Sequence, residues 1–222
     1  MAKNKKQPTK TIQLPQTPKQ YLVSGRARKL PIHECLINDN WQEIGLATIM
    51  VTRRHINGRF TFGTYLIDVF CLGLKQTNYF FNQNEEEYEF LKAKVFSLQD
   101  DEMTLCEYNL AHNIIFGAIE YADSLGFKSQ DDDWKLSKYV LEEDNDNVEL
   151  IEIEFGQFGK PTYMVGPYDN ANRIIAQLTS AVGEGNFEVV YMDDEDDDWD
   201  EEDELPDDDD TGEFDDFEEV KE

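Results

Sequence analysis

The chain has little cysteine, little positive charge and no long apolar run, and each scarcity excludes a class of protein. Three cysteines in 222 residues, an odd number, argue against a disulfide scaffold and for a reducing compartment. Lys and Arg number 20 against 48 Asp and Glu, a net charge of −28. That balance repels phosphate and excludes wrapping of bare DNA or RNA by the bulk of the chain. No stretch approaches the roughly eighteen apolar residues of a membrane helix. The basic start at Lys3, Lys5 and Lys6 is not a secretory signal, because Gln7, Pro8 and Lys10 interrupt it before any apolar stretch. Enough remains for a core. The hydrophobic fraction is 40% and the aromatic fraction 12%, well above a disordered composition.

The charge is segregated. Residues 1–30 hold eight bases and no acid, whereas residues 193–222 hold 21 acids and one base, Lys221. Residues 31–192 carry 27 acids and 11 bases. The expected organisation is therefore a basic flexible arm (1–30), a globular domain (31–192) and an acidic disordered tail (193–222). Pro8, Pro15 and Pro18 are expected to break any helix in the arm.

Inside the globule, Gly45–Arg53 is apolar and β-branched, as a buried strand requires. Asn57-Gly58 then predicts a type I′ hairpin turn, with Phe60–Phe70 returning. Phe60, Phe62, Thr64, Leu66 and Asp68 share one face, and Thr61, Gly63, Tyr65, Ile67 and Val69 the other. Both faces are largely apolar, so each needs a cover. Tyr79–Phe81 suits another short strand.

Helices are expected over 85–98, with Phe90, Leu91, Val95 and Phe96 inward, over 110–125, and over 134–141. A second hairpin is expected from Val148–Phe155 and Pro161–Val165 around Gly156-Gln157-Phe158-Gly159, followed by a helix over 170–182 and a strand over 187–191. The order spells α+β: antiparallel β-hairpins packed with three to four helices in one globular domain.

Few motifs carry chemistry. His33, Cys35, His55, Cys71, Cys106 and His112 lack the paired spacing of a structural zinc site and the flanking residues of a cysteine nucleophile. The GxxG spacing at Gly156–Gly159 matches an RNA-clamp loop, but it lies between strand-like rather than helical segments. Asp68, Glu152 and Glu154 are the candidate carboxylates for a divalent cation, and with them a metal-dependent hydrolase or nuclease. No lysine follows Glu154 at the position that would strengthen this. No cofactor is expected.

The tail is the richest segment. Its acids are interleaved with Trp199, Leu205, Phe214, Phe217 and Val220, and Phe214, Phe217 and Val220 fall at i, i+3 and i+6. A purely solvating tail needs no aromatics. Acidic segments of this type fold onto basic, apolar grooves. Arm and tail, opposite in charge, are also expected to meet in a salt-sensitive contact.

Three further segments resemble known sequences: Tyr65-Leu66-Ile67-Asp68-Val69-Phe70-Cys71-Leu72-Gly73-Leu74-Lys75, Gly117-Ala118-Ile119-Glu120-Tyr121-Ala122 with Leu125-Gly126-Phe127, and Phe155-Gly156 with Gly159-Lys160-Pro161 and Gly166-Pro167. They resemble a family of uncharacterised bacterial proteins of about this length carrying YLVD-x-x-CLGVK-like and GA-x-x-YA-x-x-LGF-like segments. The resemblance covers about residues 31–192. It implies a cytosolic bacterial domain and no catalytic residues.

The function expected is that of a non-enzymatic cytoplasmic interaction protein. Its tail, through Trp199, Phe214, Phe217 and Val220, is expected to engage a basic partner, nucleic-acid-binding proteins being one class with such a surface. The alternatives are the hydrolase above, and an RNA- or ribosome-associated protein contacting through Lys3, Lys5 and Lys6. No membrane partner is expected.

Overall fold

The computed structural model describes residues 17–97, 102–128, 131–145 and 147–191. The chain divides into two units, Met1–Tyr191 and Met192–Glu222, and the first holds every described element. Lys3, Lys5, Lys6, Trp199, Phe214, Phe217 and Val220 lie outside the described residues.

Five antiparallel strands form the central sheet: β1 (Ile32–Asn38), β2 (Leu46–Arg54), β3 (Phe60–Asp68), β4 (Gly73–Gln83) and β5 (Met103–Leu105), in the order β4-β3-β2-β1-β5. The β2–β3 ladder runs unbroken from Leu46↔Asp68 to Arg54↔Phe60. Its turn differs in type from the expectation. Gly58 has φ +81°, but Asn57 does not adopt a positive φ. Gly58 N–H donates to His55 O and His55 N–H to Arg59 O, which is a type I turn closed by a left-handed glycine. Tyr79–Phe81 is the outer part of the eleven-residue β4 rather than a separate strand.

Period-two alternation gives each sheet face its own cover. Cys35, Ile37, Ala47, Ile49, Val51, Tyr65 and Ile67 pack with Ala111, Ile114, Ile115 and Ala118 of helix α4 (Tyr108–Ser124). Leu36, Met50, Phe60 and Phe62 pack on the opposite face with Tyr88 of helix α3 (Glu85–Phe96). Asn84 and Glu87 form a reciprocal capping box at the start of α3, and Glu85–Glu87 complement the helix dipole. Phe90, expected inward, is exposed; Tyr88 is the residue of α3 that enters the core.

Tyr88 ties three elements together. Its hydroxyl donates to Glu34 of β1 and lies 3.2 Å from Thr52 Oγ1 of β2, while Lys92 Nζ reaches Glu34 at 2.6 Å. Burial pushes the Glu34 carboxyl up, but bonds from Lys92 and Tyr88 outweigh it and hold it below its ordinary value. Tyr88→Phe is expected to cost about 1–3 kcal/mol by leaving these acceptors short of a donor. A urea midpoint equal to the parent's would contradict this.

A smaller layer follows. Strands β6 (Thr162–Met164) and β7 (Glu188–Val190) pair in parallel, joined by helix α6 (Ala171–Val182), whose Ile174, Ile175, Leu178 and Val182 pack with Cys71, Leu125 and Tyr163. Asn170 caps α6 by accepting from Arg173 N–H at 3.1 Å. The expected second hairpin is thereby corrected. Pro161–Val165 pairs with residues 188–190, and Val148–Phe155 joins no strand. The turn between them survives, with Gln157 and Lys160 exchanging both backbone bonds at 2.8 and 3.1 Å.

Helix α1 (Pro18–Val23), the single turn α2 (Trp41–Ile44) and the short α5 (Trp134–Ser137) complete the described helices. Pro18 does not break a helix. It occupies the first helical position, where its missing N–H costs nothing, behind a Thr17–Gln20 capping box. Packed chain therefore begins before Pro31: Leu22 and Ala27 are fully buried, and Arg28 donates to Leu141 O at 2.7 Å and pairs with Glu143. Among the described residues, no helix is long and apolar enough to cross a membrane.

Candidate functional site

The three carboxylates read as metal ligands serve different ends. Asp68 is buried at the end of β3, where its Oδ1 accepts from Phe70 N–H at 3.0 Å and Cys71 N–H at 2.9 Å. It closes the β3–β4 connection. Glu152 and Glu154 are exposed on the segment between residues 148 and 155. Among the described residues, no three His, Cys, Asp or Glu side chains form a group able to hold a metal ion. The carboxylate triad is not assembled.

Burial keeps the Asp68 carboxyl above its ordinary value, against the opposing pull of the Cys71 amide and Lys75. A raised folded-state value favours the protonated acid in the fold, so this contribution is present below the unfolded carboxylate range and is lost as pH rises. Asp68→Asn keeps an acceptor for both amides and removes the titration. The parent is therefore expected to gain stability relative to Asp68→Asn as pH falls from 7 to 4, measured by paired urea titrations. The opposite slope would contradict this.

The thiols are equally poor nucleophiles. Burial raises Cys35 to about 12 and Cys106 to about 11, and pushes Cys71 up as well, so none is a thiolate at neutral pH. His112 is buried on α4, its ring tilted by 36° against Phe116 with centroids 4.5 Å apart.

What does stand out is a ridge. From Leu150 to Phe155 exposure alternates with period two: Ile151, Ile153 and Phe155 lean inward while Leu150, Glu152 and Glu154 face solvent. Asn113 of α4 fixes its start, donating to Glu149 O at 2.9 Å and accepting from Ile151 N–H at 3.2 Å. Phe155 stacks on Tyr121 at 5.8 Å between centroids, over Gly117, whose lack of a Cβ makes room for the ring. Gly156 N–H donating to Val69 O at 3.0 Å fixes its end.

Two grooves of about 590 and 500 Å³ flank this ridge. One lies over α4 and includes Glu120 and Asp144; the other runs towards Trp41 and Phe158. Glu120, Asp144, Glu152 and Glu154 line them, and among the described residues no Lys or Arg does. The surface is thus anionic with apolar walls. The pattern of Val148–Phe155 predicts a strand of a hairpin, whereas its face of Ile151, Ile153 and Phe155 leans towards α4, and that pattern does not mark Phe158. The signal was available: a phenylalanine between two turn glycines has little to pack against.

Compared with known proteins, the chain matches no family model, no curated protein and no solved structure at a significant level.

Proposed function

We propose that the protein is a non-enzymatic binding protein for basic partners, engaged through the acidic segment 193–222. The observation that carries this reading is the 21 acids of that segment interleaved with Trp199, Phe214, Phe217 and Val220. Electrostatics of that density accelerates encounter with a cationic surface, and interleaved aromatics supply the apolar contact that outlasts encounter. The anionic ridge of the domain, with four acids and no base among the described residues along its grooves, carries the same sign of charge. A nucleic-acid-binding protein is one partner class with the required basic surface, the segment then imitating phosphate.

Affinity capture from the native cell, with the full chain and with a chain ending at Tyr191, tests the reading. Partners identified by mass spectrometry are expected to be basic and to disappear with the segment. Equal recovery by both chains would overturn it.

A further inference from the structure

We infer that the ridge Leu150–Phe155 is a docking edge at which an extended, lysine- or arginine-bearing segment of a partner protein adds as a β-strand. The inference rests on the reading of the protein as a binder of basic partners, but it puts a second, structured site in the domain itself.

Three observations converge on the ridge. The first is backbone. Glu152, Ile153 and Glu154 run with the alternation of a strand, yet their N–H and C=O groups have no hydrogen-bond partner among the described residues. Unpaired strand edges template pairing with another chain, and proteins ordinarily blunt them with proline, lysine, bulges or a covering element. Here the edge is held in place from both ends, by Asn113 and by Val69 O, and bears glutamates on its open side.

The second observation is charge. Among the described residues four acids and no base line the two grooves, so a cationic strand is attracted and an anionic one repelled. Leu150, Glu152 and Glu154 project at two-residue spacing. A strand paired here would present an apolar side chain opposite Leu150 and Lys or Arg opposite the two glutamates. That sets the chemistry of the partner.

The third is Phe158. It lies at φ +53°, left-handed backbone that disfavours a side chain, and it is 92% exposed at the tip of the turn beside the ridge. Such a conformation costs about 1–2 kcal/mol relative to glycine, and the exposed ring gains little from the core in return. Leu150 is 85% exposed at the other end. The two side chains bracket the edge as apolar anchors for an added strand, the arrangement in which main-chain bonds give affinity and alternate side chains give specificity.

Hydrogen exchange of the full chain tests the proposal, with a nine-residue peptide alternating lysine and valine as probe and an N-methylated copy of the same charge as control. The peptide is expected to slow exchange at Glu152–Glu154 by at least tenfold, and the N-methylated copy to leave it unchanged. Glu152→Lys with Glu154→Lys, both exposed and outside the core, is expected to abolish the slowing. Equal slowing by both peptides would overturn strand addition. Peptide bound, by anisotropy, with no slowing between residues 150 and 155 would overturn the site and leave the role of segment 193–222 standing.

Discussion

Replacing Arg53 by alanine is expected to destabilise the domain by about 3–5 kcal/mol, the range found when one partner of a buried charged network is removed. Arg53 sits on β2 with only 1% of its surface exposed, among the largest fully buried side chains described. Its Nε donates to Val140 O at 2.6 Å, and its Nη1 donates to Arg28 O at 2.9 Å and Leu30 O at 2.7 Å. Nη2 makes no hydrogen bond but lies 3.6 Å from Glu142 Oε1, and the guanidinium covers Tyr108 at 5.5 Å. One side chain thus serves three carbonyls from two separate stretches of chain that enter no sheet. Alanine would leave those carbonyls without donors and open a cavity. Lysine restores charge but not the planar fork, so Arg53→Lys is expected to fall between parent and Arg53→Ala. Chemical denaturation reads the series, and a loss below 1 kcal/mol for Arg53→Ala would contradict the role.

That network also marks the limit of what the sequence discloses. The β2–β3 hairpin, α4 and α6 were legible because their periodicity is local: each buries one stripe or face, and the spacing records it. Gly126, with φ +84° just beyond α4, marks the end of that helix. Arg53 carries no such record, since a cation at a strand end reads as solvent-facing until the carbonyls it serves are brought to it from residues 28–30 and 140. Strand β1 (Ile32–Asn38) passed unnoticed because its IHECLIN alternation is broken by His33 and Glu34. Residues 148–155 misled in the opposite direction. From Leu150 onwards the alternation is real, but the apolar face rests on a helix and not on a neighbouring strand. Alternation reports an extended chain with one covered side. It does not say what covers it.

Of the candidate site, the carboxylates were legible as residues but not as roles. Asp68 turned inward to hold the amides of Phe70 and Cys71, while Glu152 and Glu154 stayed outside. Of the acidic segment, which lies outside the described residues, the sequence discloses the composition and its charge.

Binding of a basic partner is proposed to be electrostatic in origin and to draw most of its strength from residues 193–222. Each exposed ion pair is worth about 0–1 kcal/mol, so five or six pairs at about 0.5 kcal/mol each give roughly 2.5–3 kcal/mol, a factor on the order of a hundred. Exposed pairs are screened within about 10 Å at 0.1 M salt and within roughly 4 Å at 0.5 M. The direct measurement is the dissociation constant of the full chain for a captured basic partner, followed from 0.05 to 0.5 M salt beside the chain ending at Tyr191. The full chain is predicted to weaken about a hundredfold across that range, and the shortened chain to start near the weakened value and change little. Matching affinities and matching salt slopes for the two chains would contradict the claim.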